Sequence, residues 1–217
     1  MRMTCLTAIV ACGVAPLAHA AVITEADLTT GATSGMKFSG AMAVTVTSPV
    51  REFRHKTVNG VRAAGVKGGS VNGEIDNAES IRFDFASPMT VSALEVAHLY
   101  NAGEFGDSPA EVALVRVNDS LDYLLQVTSE TTADWSGSGS ATNTSIATEA
   151  GGGAWLVAGT DLFGIAVTSI ELLSGNTGNG SKADFGFVSL TYDAVPAPGA
   201  GAALATAALF STRRRRV

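Results

Sequence analysis

The hexapeptide SIRFDF at residues 80–85 alternates apolar and polar side chains. Successive side chains of a β-strand point to opposite faces of a sheet. Ile81, Phe83 and Phe85 would therefore share one face, and Arg82 and Asp84 the other. The pattern predicts a strand that has one face in a protein core and the other in solvent.

Short runs rich in β-branched residues recur on both sides of this hexapeptide, whereas long stretches with helical periodicity are missing. Turn dipeptides such as Asn59-Gly60 and Asn118-Asp119 separate the runs. The other candidate strands are Ala43 to Thr47, Val50 to Thr57, Val61 to Val66, Thr90 to Leu99, Glu111 to Val117, Tyr123 to Thr128, Ala154 to Val157, Ile165 to Leu173 and Phe185 to Tyr192. About ten short strands predict an all-β fold, a single antiparallel β-sandwich with a jelly-roll-like arrangement. The Ser- and Gly-rich segment from Ser129 to Gly153 is predicted to be a long surface loop.

The N-terminus has the composition of a secretory signal peptide. One basic residue, Arg2, precedes an apolar stretch that closes with Ala18-His19-Ala20, a small-x-small cleavage site. We predict cleavage after Ala20, so that residues 1–20 are removed by signal peptidase and residues 21–194 form one domain. A competing interpretation is a lipoprotein that is cleaved before Cys12. Both cysteines, Cys5 and Cys12, precede Ala21, so the mature domain would rely on its core, a metal or assembly instead of disulfides.

Residues 195–217 combine a proline-marked break, an apolar run and a basic end. Val195, Pro196, Ala197 and Pro198 lead into residues 199–210, which are uncharged and mostly alanine, and Arg213, Arg214, Arg215 and Arg216 follow. A helix of this length is roughly 20 Å long, which is short of the ~30 Å hydrocarbon core of a bilayer. The segment therefore predicts a short transmembrane helix that anchors the chain transiently in the inner membrane, with the arginines on the cytoplasmic side.

This tail resembles the PEP-CTERM sorting signal of bacterial surface proteins, in a variant with Ala197 where the commonest form has glutamate. The resemblance implies that an exosortase, a membrane-embedded transpeptidase, cuts near Pro196 to Pro198 and passes the protein to the cell surface or extracellular matrix. It covers about a tenth of the chain and implies no particular activity, since proteins of unrelated activity share this tag.

The predicted mature domain is acidic. It contains all 20 Asp and Glu residues and nine Lys and Arg residues, so its formal net charge is −11, against −6 for the full chain. Contacts to phosphate groups need Lys and Arg, so this balance argues against nucleic acid as a partner. It suits divalent cations or solubility outside the cell.

Acidic side chains form the best local constellation. Glu74, Asp76 and Glu79 lie beside a turn, and Asp184 precedes the last candidate strand. Calcium takes six to eight oxygen ligands, including carboxylates and backbone carbonyls. We therefore regard Glu74, Asp76, Glu79 and Asp184 as a possible calcium site, with Glu25 and Asp27 as alternative partners of Asp184.

No local motif for catalysis is present. There is no Gly-x-Ser-x-Gly elbow and no cysteine in residues 21–217. His98 is expected to be a buried structural residue and His55 a solvated one. The sequence thus predicts a non-enzymatic surface or matrix protein with a structural, adhesive or glycan-associated role, and matrix polysaccharide as a partner.

The alternative is a secreted jelly-roll hydrolase, similar to a glycoside hydrolase, that acts through a pair of carboxylates. Candidates for that pair are Glu74, Asp76, Glu79, Glu104 and Asp107. Among the two tryptophans, Trp135 is expected to be the exposed one that could stack on a sugar, and Trp155 is expected in the core.

Overall fold

The computed structural model describes residues 20–39, 42–49, 51–69, 71–76, 78–103, 110–145, 152–175 and 184–195. These residues form an all-β unit, Ala20–Val195, whose single helical element is a 3-10 turn at Glu25–Asp27. The strands are β1 Ala21–Thr24, β2 Ser34–Ser39, β3 Met42–Thr47, β4 Phe53–Val58, β5 Val61–Val66, β6 Ser80–Tyr100, β7 Val112–Val117, β8 Leu121–Val127, β9 Ala133–Trp135, β10 Ser140–Asn143, β11 Gly152–Ala158, β12 Val167–Ser174 and β13 Gly186–Ala194. The predicted all-β class is confirmed.

The strands form one continuous antiparallel sheet that β6 holds together. Its main order is β4-β5-β13-β6-β12-β7-β8-β9, with β1 on β13, β2 on β3, β10 on β11, and both β3 and β11 on β6. The first part of β6, Ser80 to Phe85, pairs with β3 and β12. Met89 pairs with both β12 and β13, and the part from Thr90 onward pairs with β13 and β11. The prediction was a single antiparallel β-sandwich. The 21-residue strand β6 runs through the whole arrangement, so that all strands belong to one sheet.

The hexapeptide that predicted a strand lies in β6 with the expected alternation. Ile81, Phe83 and Phe85 are buried, whereas Arg82 and Asp84 are partly exposed. Phe83 packs against Phe187 of β13 with ring centroids 4.9 Å apart. Burial of a side chain of this size contributes about 1.5–3 kcal/mol to folding. The apolar face of β6 therefore builds the core that joins the halves of the sheet.

Two of the predicted turns have the backbone that their sequence requires. Asn59 and Gly60 join β4 to β5 with φ angles of 50° and 85°, and Asn118 and Asp119 follow β7 with φ angles of 50° and 60°. Asn, Asp and Gly tolerate this left-handed region, and it matches the twist of the flanking strands. These turns fix the register of both hairpins.

Two predictions of local structure were wrong. Residues 80–85 and 90–99 were expected as separate strands, but β6 runs through both and through Pro88 between them. Proline only removes a donor, and its carbonyl accepts a hydrogen bond from Val195 N at 3.3 Å. The segment from Ser129 to Gly153 was expected to be a loop, yet β9, β10 and the start of β11 lie within it. Short polar strands of this kind lack the apolar alternation by which strands are found.

Alternating charges cross the solvent-facing side of four strands. Arg82 of β6 lies opposite Glu171 of β12, which lies opposite Arg116 of β7, which lies opposite Asp122 of β8. Arg116 Nε donates to Asp122 Oδ1 at 2.8 Å. Opposite charges at facing positions stabilise a sheet and like charges destabilise it.

The substitution Glu171→Lys should lower stability by about 1 kcal/mol, because it places three cations side by side. Urea unfolding at low and high salt measures the change, and the loss should shrink as salt screens the charges. Glu171→Gln is the matched control. Equal losses for the two variants at low salt would show that the row of charges does not matter.

The two sequence tags lie almost wholly outside the described residues. Of the predicted signal-peptide cleavage site, Ala18 lies outside them and Ala20 is described and exposed. Of the predicted sorting signal, Val195 is described, whereas Pro196, Ala197, Pro198 and Arg213 to Arg216 lie outside. The described ranges contain no helix with the length and apolar character needed to cross a bilayer.

Candidate functional site

Three of the four acidic residues predicted as a site, Glu74, Asp76 and Glu79, lie in the segment that connects β5 to β6. Glu74 forms a bridge with Val66 at the end of β5, and Ile75 forms one with Phe185. Ile75 is fully buried in the core, which anchors the segment. Asp76 follows Ile75 in this segment, and Asp184 directly precedes Phe185. Glu74, Asp76, Glu79 and Asp184 are all buried, so this segment brings an unusual number of carboxyl groups below the surface.

Glu74 is at the centre of a buried ion cluster. Its Oε1 lies 2.9 Å from Lys56 Nζ and 3.0 Å from His98 Nδ1. The side chains of Glu74 and His98 are 4% and 1% exposed, whereas Lys56 at 33% reaches toward solvent. A buried carboxylate is tolerated when it is paired and hydrogen-bonded. The Lys56–Glu74–His98 cluster meets that condition.

A β-bulge aims His98 at Glu74. Across β6 and β11, Leu99 pairs with Gly153 and Ala97 with Ala154, so His98 is the extra residue. Its φ is 63°, a region that residues other than glycine rarely occupy. His98 Nε2 donates to Val61 O at 3.1 Å, which leaves Nδ1 facing Glu74. Strained backbone of this kind persists where the surroundings determine it. Here the hydrogen bond of Nε2 fixes the ring, and Nδ1 lies 3.0 Å from Glu74 Oε1.

The two partners of Glu74 outweigh its burial. Burial alone would raise the pKa of Glu74, but the hydrogen bonds and charges of His98 and Lys56 lower the pKa below its usual value of 4.5. Glu74 is therefore ionised at neutral pH, and its charge is balanced inside the protein.

Asp76 and Glu79 form a second arrangement, the Asp76–Glu79 pair, with a different charge balance. Glu79 N donates to Asp76 O at 2.8 Å, and Asp76 Oδ2 accepts a hydrogen bond from Val71 N at 2.8 Å. Gly69, with φ of 65°, lies so close to the Asp76 carboxylate that a Cβ there would overlap it. First burial, and then the charge and hydrogen-bonding contact of Asp76, raise the pKa of Glu79 from 4.5 to about 7, although Arg51 opposes the shift.

We expect the free energy of unfolding, measured in EDTA, to fall as pH rises from about 4.5 to about 7. Below this window Glu79 is protonated in both states. Between these pH values the folded chain holds a proton that the unfolded chain has lost. The free energy of unfolding therefore falls by up to about 1.4 kcal/mol per pH unit. Glu79→Gln should remove this part of the slope. Near pH 8 the variant should be roughly 1–3 kcal/mol more stable than wild type, and near pH 4 about equal to it.

Urea unfolding of both proteins across this pH range tests the prediction. The difference between wild type and Glu79→Gln cancels the titration of groups that the substitution leaves unchanged. A difference that stays constant from acid to mildly basic pH would mean that Glu79 titrates normally in the fold.

The structure thus gives the four predicted calcium ligands different partners. Glu74 is paired with Lys56 and His98, Asp76 contacts Glu79, and Asp184 precedes Phe185, the bridge partner of Ile75. Within the described ranges, no three His, Cys, Asp or Glu side chains form a group that could hold a metal ion. Of the alternative ligands, Glu25 pairs with Arg62 at 3.5 Å, and Asp27 Oδ2 accepts a hydrogen bond from Thr24 N at 2.9 Å.

Sequence reasoning missed the partners of Glu74. His98 is buried as expected, but no pattern in the chain signals a bulge that turns its ring toward a carboxylate 24 positions earlier. His55 was expected to be solvated and instead is partly buried. Its Nδ1 lies 2.7 Å from Thr30 Oγ1, and its Nε2 lies 2.8 Å from Glu25 O.

The predicted sugar-stacking residue has other contacts. Trp135 is partly buried and stacks on Tyr123 with centroids 5.8 Å apart, and Phe163 packs against both rings. Trp135 Nε1 donates to Ser138 O at 3.0 Å. Trp155 lies in the core as predicted. The aromatic rings near β9 therefore pack on one another, and Trp135 does not present an isolated platform for a sugar.

Comparison with known proteins gives no match: no protein-family model, no curated protein and no solved structure is significantly similar to this chain.

Proposed function

We propose that this chain is an exported bacterial protein of the cell surface or extracellular matrix, with a structural, adhesive or glycan-associated and non-catalytic role. Its C-terminal tail would direct it there through an exosortase-type enzyme. One observation carries the proposal: among the described residues, the first strand begins at Ala21 and the last ends at Ala194, beside the positions where the sequence predicts processing.

The two ends of the fold support this assignment directly. β1 begins at Ala21, immediately after the predicted signal-peptide cleavage site, and pairs with β13 through Ala21 and Tyr192. β13 ends at Ala194, and the next residue, Val195, is exposed. Removal of residues 1–20 and of the segment beyond Val195 would therefore leave every strand of the unit intact.

The interior of the unit also suits life outside the cell without disulfides. The described strands contain no cysteine. Large apolar side chains and the buried Lys56–Glu74–His98 cluster hold the sheet instead. A jelly-roll-like course of the strands belongs to this proposal, as a finer description of the sheet.

The non-catalytic part of the proposal is supported by where the carboxyl groups lie. Glu74, Asp76 and Glu79 are at most 4% exposed, so a polysaccharide chain could not reach them in this conformation. The other two candidates for a hydrolase pair, Glu104 and Asp107, lie outside the described residues.

The sorting step is tested by replacing Arg213 to Arg216 with serine in the full chain, expressed in a bacterium that has an exosortase. Wild type should be recovered at the cell surface, whereas the variant should be depleted there by about tenfold or more, because the positive residues that set the orientation of the tail are gone. A matched control replaces Arg51 and Arg54, which are exposed on the folded unit, with serine. Equal surface recovery of all three proteins would contradict sorting through the tail.

The adhesive role is tested by sedimentation of the purified protein with matrix polysaccharide and with cell envelopes, with and without calcium. Binding to either material supports an adhesive or glycan-associated role. If the protein binds neither material under either condition, that role is wrong and a purely structural one is left.

A further inference from the structure

We propose that the Asp76–Glu79 pair binds a divalent cation, and that calcium is the ion it favours. The inference is independent of how the chain is exported. It rests on one buried oxygen atom, on the charge around it and on the turn that holds the two carboxyl groups together.

The oxygen atom is Oε1 of Glu79. The residue is 4% exposed, and Oε1 is buried without any hydrogen-bond partner. Native proteins rarely leave a buried carboxyl oxygen unsatisfied, and such an atom calls for an explanation such as an ion or a water molecule. The other oxygen of the same group, Oε2, lies 3.4 Å from Asp76 N, so the group is held against Asp76.

The charge around the Asp76–Glu79 pair favours a cation over a water molecule as the partner of Glu79 Oε1. None of the described Lys and Arg side chains forms an ion pair with Glu79, in contrast to Glu74 with its 2.9 Å contact to Lys56. Arg51, which lowers the pKa of Glu79, is exposed and lies beside Gly68.

The ligand chemistry points to a hard cation. Two carboxyl groups from one turn offer oxygen atoms only, and calcium accepts carboxylate, backbone carbonyl and water oxygens in an adaptable geometry. Magnesium demands a near-ideal octahedron and keeps most of its water, so a buried pair suits it less.

The experiment measures the Tm of the purified full chain near pH 8, in calcium chloride and in EDTA. Saturating calcium should raise the Tm of wild type by about 5 °C, because a ligand stabilises the state that binds it. Glu79→Gln, which has the shape of the protonated side chain, should lose this rise. Glu95→Gln is the matched control, since Glu95 is a partly buried carboxylate whose oxygens accept hydrogen bonds from Thr144 Oγ1 and Ser189 Oγ.

Each result of the Tm experiment either supports or overturns the proposed site. A rise in wild type and Glu95→Gln that Glu79→Gln lacks supports the site. No rise in wild type, or an equal rise in Glu79→Gln, overturns it. An equal rise with magnesium chloride in all three proteins is charge screening and also overturns it. Near pH 4 Glu79→Gln should have the Tm of wild type, which checks that the variant is folded.

Discussion

Replacement of Gly65 by alanine should destabilise the protein by about 3 kcal/mol, the upper end of what overpacking costs. Gly65 is buried in β5, and a Cβ there would lie less than 3.0 Å from three backbone atoms of Glu74. Backbone atoms cannot turn away as the end of a flexible side chain can. The segment that carries Glu74, Asp76 and Glu79 would therefore have to move away from β5.

Urea unfolding of wild type and variant measures this loss. Gly35→Ala is the control, because a Cβ at that strand position would come no closer than 3.8 Å to any atom. It should change stability by less than about 0.5 kcal/mol. If Gly65→Ala were as harmless as Gly35→Ala, the close packing of the acidic segment on β5 would be incorrect.

Replacement of Glu74 by alanine should cost about 3–5 kcal/mol, because it leaves His98 buried without its charged partner. The matched control is Glu52→Ala. Glu52 also lies 2.9 Å from a lysine, Lys67, but both side chains of that pair are exposed. Exposed ion pairs contribute little, so the control should lose no more than about 1 kcal/mol.

The loss of stability in Glu74→Ala should also depend on pH. The lowered pKa of Glu74 means that its ionised form stabilises the fold above about pH 4.5, and that this stability is lost as pH falls below that value. The gap between wild type and Glu74→Ala should therefore narrow in acid. Two variants with equal losses near pH 7 would contradict a special role for the buried cluster.

Much of the fold could be predicted from the sequence, because the alternation of apolar and polar residues and the residue preferences of turns are local features. The alternation at Ile81, Phe83 and Phe85 and the turn at Asn59-Gly60 both appear in the structure as predicted. β1, β2, β9 and β10 were missed, since short strands gain most of their stability from partners far along the chain. The continuous course of β6 through Pro88 depends on pairing partners in the same way.

The candidate site was predictable as a set of residues but not as an arrangement. The acid-rich turn marked Glu74, Asp76 and Glu79, and the last strand marked Asp184. Which of these acids is balanced by a cation depends on β4, which supplies Lys56, and on the bulge in β6, which turns His98 toward Glu74. Those contacts arise from strand register over long sequence distances, and local patterns carry no information about it.

The central claim, that the chain is exported and processed at both ends of its folded unit, is tested most directly by the intact mass of the protein collected from the cell surface. The account predicts a chain that begins at Ala21 and ends near Pro196 to Pro198, without Arg213 to Arg216. A surface-bound chain that begins at a lipid-modified Cys12 would contradict the predicted N-terminal cleavage. A chain that keeps the arginine cluster and remains in the inner membrane would contradict the proposed sorting.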